Sequence, residues 1–497
     1  MNTLPDTVME TWLSGGDERL TPDPVSGLNR YGHAPHPVPQ ALAFGSSTAS
    51  TPTAGAFQAA QSLHDQLGAA LTTQDAGLVY EKAMAALRAE ISAMFGLPDA
   101  TGVVLAASGT DLHLLVSQLL GGAYETPLKV LTPGPDETGS GVGLAVSGRH
   151  FLASARHGRV VAKGEELSFG DRAETHEFAV RDTDGGLRRE TDIEAELTAA
   201  IAEAVARGQP CLLVVSDVSK TGLIAPGLAS VLRLKQRFPH HLDILIDACQ
   251  CRLAPDTIRA CLAQNFLVAI TGSKFFAGPV FSGALLCPPA WSGRLRHKSL
   301  HPAMRDYSAR AEWPIGWAAR RALDDAPNWG LALRWQAALF EMRACYALPV
   351  ARRRAATAAF AGAVQARLIA DPAFAPLDSI APDRSALLSG HDFDSLPTIF
   401  PFQLTPHGRA LSFAQAALLH QNLAAASPPV HLGQPIRFAS DSAILRLCLS
   451  APLLVRAAQN QAGREAVIAE AMQALDRTAA LAAQLVQSAA RQALSAK

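Results

Sequence analysis

Three short segments carry residue types that could do chemistry together. Ala107-Ser108-Gly109-Thr110-Asp111 stands between an apolar run, GVVLA (102–106), and a helical pattern, DLHLLVSQLL. Small residues at a helix start present free backbone N–H groups at the positive end of the helix dipole, an arrangement that receives phosphate. Plain N-capping by Ser108 or Thr110 is the alternative. Asp247 stands near the end of a second apolar run, DILIDA (243–248), and Gln250 follows it. A carboxylate at the carboxyl end of a buried parallel strand lies where α/β sheets bind ligands, and its burial is costly without a cation or donors. A protonated ring nitrogen is one such partner; capping of the next helix is the competing role. Thr271-Gly272-Ser273-Lys274-Phe275-Phe276 ends a third apolar run, FLVAIT (266–271). Apolar surroundings favour the neutral amine that a Schiff base requires, with Thr271 and Ser273 as further phosphate donors. A lysine snorkelling from a strand end to solvent is the bland reading.

Taken in this order, the three segments resemble the fold type I pyridoxal-phosphate (PLP) enzymes, and within them the class V aminotransferase and cysteine desulfurase group. The residues that carry the resemblance are Ser108-Gly109-Thr110, Asp247-Ala248-Cys249-Gln250, and Ser273-Lys274 followed by FFAGPVFSGALL. VSKTG (218–222), with Ser219, is similar to a strand-end motif of that group, and Thr138 falls where the group carries a ring-stacking histidine. Arg446 in ILRLCLS matches the arginine that grips a substrate α-carboxylate, and Ser47 in FGSSTAS (44–50) falls in a region that lines the substrate site. The resemblance implies PLP as cofactor, Lys274 as its Schiff-base residue and Asp247 as partner of the ring nitrogen. It further implies an amino-acid substrate, a homodimer, and amino transfer first among reactions. A lyase cleaving a C–S or related bond at the β- or γ-carbon comes second, and a PLP fold kept only for binding is a third reading. No metal is expected.

Four departures qualify the match. The stacking histidine is replaced by Thr138, and Ser273 stands before the lysine in place of histidine. VSKTG is one residue short and puts Lys220 in the motif. No cysteine lies in a Gly/Ser-rich loop where a desulfurase carries its persulfide-forming thiol; Cys345 has helical context and Cys448 sits in a strand pattern. A true cysteine desulfurase is therefore disfavoured.

The elements that must position these residues alternate in type. Strand patterns at 102–106, 129–132, 211–218, 243–248, 266–271 and 282–287 are separated by helical ones such as 192–208 and 227–238, which predicts crossover units and a mainly parallel sheet. The fold class expected is α/β, the fold type I PLP-dependent transferase fold. Residues 1–70 form an arm and first helix, 71–310 the large PLP-binding domain, and 311–497 a smaller α+β domain with long helices and a strand pair at 436–440 and 443–450. The aromatic stretch from Trp313 to Trp335 reads as core or dimer interface. With 18% charged residues and a formal net charge of −1, nothing calls for nucleic acid or an anionic membrane. Seven scattered cysteines and an acidic start without an apolar h-region point to a reduced, cytoplasmic setting, and no apolar run is long enough to span a membrane.

Overall fold

The computed structural model describes residues 3–121, 126–167, 173–378, 380–390, 392–439 and 441–495. In chain order its strands are β1 (Leu42–Phe44), β2 (Gly102–Ala106), β3 (Leu128–Pro133), β4 (Ala173–Phe178), β5 (Cys211–Asp217), β6 (Ile224–Ala225), β7 (Leu242–Ala248), β8 (Leu267–Thr271), β9 (Gly283–Cys287), β10 (Phe374–Pro376), β11 (Ile399–Leu404), β12 (Val430–Phe438) and β13 (Ser442–Cys448). The larger sheet has the order β2-β9-β8-β7-β5-β3-β4, with β6 on β5. β8, β7, β5, β3 and β4 are parallel neighbours, while β9 is antiparallel to both β8 and β2. Six strands therefore point their carboxyl ends to one edge. Helices cover both faces, which is why β2, β5 and β8 are buried along their whole length and largely apolar instead of alternating. The predicted helix at 78–96 runs from Ala76 to Phe95 and stops at Gly96, whose φ of 56° is left-handed.

A second sheet has the order β1-β12-β13-β11-β10. Its edge strand β1 belongs to the N-terminal segment and pairs parallel with Val430–Leu432. The arm is thus an integral strand of the C-terminal lobe rather than a free extension. It also contains a short helix, Val8–Trp12, fixed by a Thr7–Glu10 capping box. Trp313, Trp329 and Trp335 are buried within the chain, so they serve its own core. The polar edge strand β4 (AETHEF) had no apolar run to announce it.

Three histidines pack where the arm meets the second sheet. The rings of His33 and His431 lie 4.4 Å apart, His33 Nδ1 is 3.3 Å from Thr51 Oγ1, and His420 Nε2 donates to the Leu432 carbonyl at 3.1 Å. Burial depresses their pKa values, His431 to about 4; a neighbouring histidine's charge adds to this for His33 and His431, and Arg446 adds to it for His420 against its bond to Leu432. Unfolded histidines bind protons near 6.5 and these do not, so their contribution to stability is complete above 6.5 and falls as the pH drops toward 4. We expect unfolding free energy to decline across that window by up to about 1.4 kcal/mol per pH unit for each histidine. Urea unfolding of the wild type and His431→Leu, whose lost Nδ1 has no partner, checks this. The variant must show a shallower acid limb.

Candidate active site

Lys274 follows β8 in a tight turn. Gly272 N–H donates to Ser282 O at 2.9 Å, Gly278 N–H to Gly272 O at 3.0 Å, and Ala277 N–H to Lys274 O at 3.0 Å. Phe275 and Phe276 on either side of this turn are fully buried, Phe275 stacked at 5.2 Å on Phe393, which leaves Lys274 half-buried at the sheet edge. Burial lowers its pKa, and the charges of Arg446 and Arg252 add to that against the opposite pull of Cys249 and Asp247. The amine is biased toward its neutral, nucleophilic form.

Asp247 lies one strand away, on β7, in register with Ala269 of β8. One carboxylate oxygen accepts the Cys249 N–H at 3.1 Å; the other is 3.3 Å from His113 Nε2. His113 Nδ1 faces the Gly109 carbonyl at 2.8 Å. Nε2 is close to the carboxylate without a formed hydrogen bond, and its proximity to that charge favours the protonated ring. Burial opposes that charge, but Asp247 outweighs it and the imidazole pKa is raised. Burial likewise works to raise the Asp247 pKa, and His113 more than offsets it, holding the carboxyl well below the usual range.

The Ser108 turn sits between these two strands and β2. Gly109 is required there by contact, because a Cβ at this position would lie 2.6 Å from Cys249 Sγ. Ser108 Oγ accepts the Asp111 N–H at 3.3 Å, bonds the Asp111 carboxyl, and receives Arg19 Nη2 at 3.1 Å. Arg19 is gripped by Asp17 at 2.6–2.8 Å and lies 4.2 Å over the Phe281 ring. Burial lifts the Asp111 pKa to about 7. Thr110 opens the same helix, Gly109–Gly121. Thr271 Oγ1 donates to Cys249 O at 2.6 Å, and Ser273 Oγ lies 3.4 Å from Thr271 Oγ1.

Thr138 and Ser219 leave the same edge after β3 and β5. Thr138 Oγ1 donates to Gly134 O at 3.2 Å. Ser219 Oγ donates to Glu137 at 2.6 Å and accepts the Leu223 N–H, so its hydroxyl is engaged within a Glu137–Arg181–Thr221 network. Gln250 Nε2 donates to Ser47 O at 2.9 Å while its Oε1 is buried without a partner. Ser47 Oγ and Arg446 Nε are buried and unpartnered as well. The two converge on Gly433, where a Cβ would come within 2.5 Å of Ser47 Oγ and 2.9 Å of Arg446 Nε. Orphaned buried polar atoms cost about 1–3 kcal/mol each, and this cradle is shaped for an anionic ligand that satisfies them. The donor set fits PLP: a small-residue helix start for its phosphate, an ionised aspartate for its ring nitrogen, and a lysine for its carbonyl.

His113, Arg19 and Arg252 did not stand out in the sequence. His113 is four residues after Gly109 on one helix face, a spacing that could have flagged it. Arg19 carries no local signal, since its place depends on how the arm folds back.

No family model matches the chain, and no curated protein is similar enough to it to register. Its fold matches solved structures closely in extent and weakly in sequence. A complex of the cystine C–S lyase C-DES with cysteine persulfide has a TM-score of 0.54 at 16% identity, covering 86% of this chain and 97% of that one. The cysteine desulfurase CsdA from Escherichia coli has 0.52 at 13%, covering 88% and 95%. TDC from Oryza sativa, solved with PLP and tryptamine, has 0.53 at 14%, covering 92% and 85%. The architecture is the fold type I PLP-enzyme fold, with both lobes represented.

Removing His113 should strand a buried carboxylate. His113→Leu is expected to lose about 3–5 kcal/mol in denaturant unfolding. Adding Asp247→Asn to it should restore much of that loss, because no buried charge remains to be compensated. Strictly additive effects in the double variant would mean the two side chains are not coupled.

Proposed function

We propose that the protein is a PLP-dependent enzyme acting at the α-carbon of an amino acid. One observation carries the reading: a lysine biased toward neutrality and an aspartate held ionised leave adjoining parallel strands, β8 and β7, beside a small-residue helix start. Ser108, Gly109 and Thr110, with Thr271 and Ser273, would hold the cofactor's phosphate, and Asp247 its ring nitrogen. Thr138, Ser219 and Gln250 would border the ring. When bound, the cofactor supplies an electrophilic carbonyl and a ring that delocalises charge from the α-carbon.

Lys274 Nζ would be the point of attachment and, once displaced by the substrate amine, the base and acid that move the α-proton. Asp247, its carboxyl held ionised by His113 and the Cys249 N–H, would hold a proton on the ring nitrogen. Arg446, with Ser47, would take the α-carboxylate and so fix which bond at the α-carbon is broken. The intact lysine and aspartate speak against a fold kept only for binding.

Amino transfer is the first reading of the reaction, and β- or γ-elimination the second. The likeness to a C–S lyase favours the second, and all seven cysteines are buried, so none offers the surface thiol that sulfur delivery by a desulfurase needs. A homodimer in a reducing, cytoplasmic setting completes the proposal; no helix among the described residues is long and apolar enough to cross a membrane. Val160 and Ile315, 86% and 73% exposed, are candidate contacts between copies.

Borohydride treatment of the purified yellow protein should fix the cofactor to the peptide containing Lys274, as read by mass spectrometry. Labelling on Lys220 instead would move the attachment point and overturn the assignment.

The two reactions separate by their need for an acceptor. Incubated with an amino-acid panel and no 2-oxoacid, an aminotransferase should stop after one equivalent per active site and resume when an oxoacid is added. Continued turnover without acceptor, with release of a thiol or other substituent, selects the lyase.

A further inference from the structure

Of the eight buried arginines among the described residues four meet a carboxylate: Arg156 pairs with Asp324, Arg181 with Glu137, Arg353 with Asp392 and Arg384 with Asp217. Arg88 and Arg334 rest on backbone carbonyls, and the cations around the candidate site are of this second kind. Among the described residues, Arg446, Arg252, Lys220 and Lys274 have no carboxylate oxygen within 4.0 Å. Their partners are neutral: Arg252 donates to Leu449 O at 2.7 Å and Ser46 Oγ at 2.9 Å, and Arg446 to Thr48 Oγ1 at 3.2 Å, Lys220 O at 3.4 Å and Gln434 O. Lys220 Nζ has one bond, to Pro135 O at 2.7 Å.

Unpaired positive charge in a half-buried cleft is unfavourable, and an anionic ligand relieves it. The reading above uses two of the four. Lys274 is consumed by the cofactor, and Arg446 by the α-carboxylate. Arg252 is engaged by carbonyls and lies 5.2 Å from the Phe275 ring, where it braces the Ser46–Thr48 segment. Lys220 remains. Its ammonium has two N–H groups to spare, and Arg446 donates to its own carbonyl. Burial, with the charges of Arg446 and Lys274, lowers its pKa to about 8 against the opposite pull of Glu137 and Asp136. It leaves β5 at the edge that carries Asp247 and Lys274, and Pro135, which it touches, belongs to the loop leading to Thr138.

We propose that Lys220 receives a second anionic group of the substrate, so that the preferred substrate is an amino acid with an acidic side chain: a carboxylate, sulfinate or sulfonate. This rests on the PLP reading above and adds the substrate class to it. Lys220 is a specificity residue, holding the side-chain acid while Arg446 holds the α-carboxylate. Arg446 donates to the Lys220 carbonyl, so the two residues meet at the same edge of the site.

The test uses the PLP-loaded protein and simple acids that cannot react. Binding of succinate, 3-sulfopropionate and butyrate is followed through the perturbation of the cofactor's visible absorbance. Succinate or 3-sulfopropionate should bind about ten- to a hundredfold more tightly than butyrate, the difference a charge-assisted contact brings. Which of the two binds better identifies the acid. Lys220→Met should remove that advantage and Lys220→Arg should keep most of it. In turnover, the preference for aspartate over asparagine, or glutamate over glutamine, should collapse through KM in Lys220→Met. Equal binding of the three acids by the wild type overturns the proposal without any variant, and so does an advantage that survives Lys220→Met. A chain that takes up no cofactor overturns the PLP reading and this proposal with it, whereas a loaded protein indifferent to diacids overturns only the role of Lys220.

Discussion

An ionised carboxylate buried at a strand end is among the most expensive groups a fold can hold, and Asp247 is the one around which this site is arranged. Its charge is met from two directions by elements far apart in sequence. The Cys249 N–H comes from its own turn, and the imidazolium of His113 comes from the helix after β2. That helix can approach only because Gly109 lets its backbone pass against Cys249. The same glycine therefore opens the phosphate turn and delivers the counter-ion of the aspartate. The lysine turn joins them through Thr271, whose hydroxyl is bonded to the Cys249 carbonyl. The Ser108 turn, the aspartate and the lysine are three faces of one packed junction at the edge of β2, β7 and β8.

The segment Ser46–Ser50 does for the two lobes what Cys249 does for the strands. Gln250 and Arg252 reach it from the large sheet, bonding Ser47 O and Ser46 Oγ; Arg446 and the Gln434 N–H reach it from the second sheet, both bonding Thr48 Oγ1. Ser50 Oγ lies 3.4 Å from the Lys274 carbonyl. Because β1 immediately precedes the segment and is paired to β12, the strap is anchored in the C-terminal lobe and pressed onto the cofactor side of the other. Arg446 and Ser47, the proposed substrate contacts, and Ser50, which touches the Lys274 carbonyl, thus all meet at this strap.

Much of this was legible in the sequence because the central strands are buried on both faces and so read as unbroken apolar runs. Asp247 and Lys274 stand out against such runs. The helix ends were legible where a glycine in the left-handed region marks them, as at Gly96. Edge strands were not. β4 is polar and alternating, and β1 is three residues long, defined by a partner almost four hundred positions away rather than by its own composition. The aromatic stretch at 313–335 looked equally suited to an interface or a core, since both demand the same residues; the structure buries its tryptophans inside the chain and leaves Ile315 exposed. Arg19 was invisible for the same reason as β1, because only the folded arm brings it to Ser108.

Charge pairing separates the two halves of the cleft. On the Asp247 side the charges are paired within the chain, His113 with Asp247 and Arg19 with Asp17. A site that must bind a cofactor of fixed shape gains from such self-contained pairs, since their side chains are already ordered before the ligand arrives. On the Arg446 side the cations rest on carbonyls and hydroxyls, which orient a guanidinium without neutralising it. That leaves net positive potential where an incoming substrate must be captured and held. Neutral partners keep Arg446 in place at modest electrostatic cost, its pKa lowered by burial to about 10 and so still charged at neutral pH. A carboxylate partner would have oriented it equally well and cancelled the attraction. Glu137, the acid nearest this side, is spent on Arg181, Ser219 and Thr221 and leaves Arg446 and Lys220 without a direct carboxylate partner among the described residues.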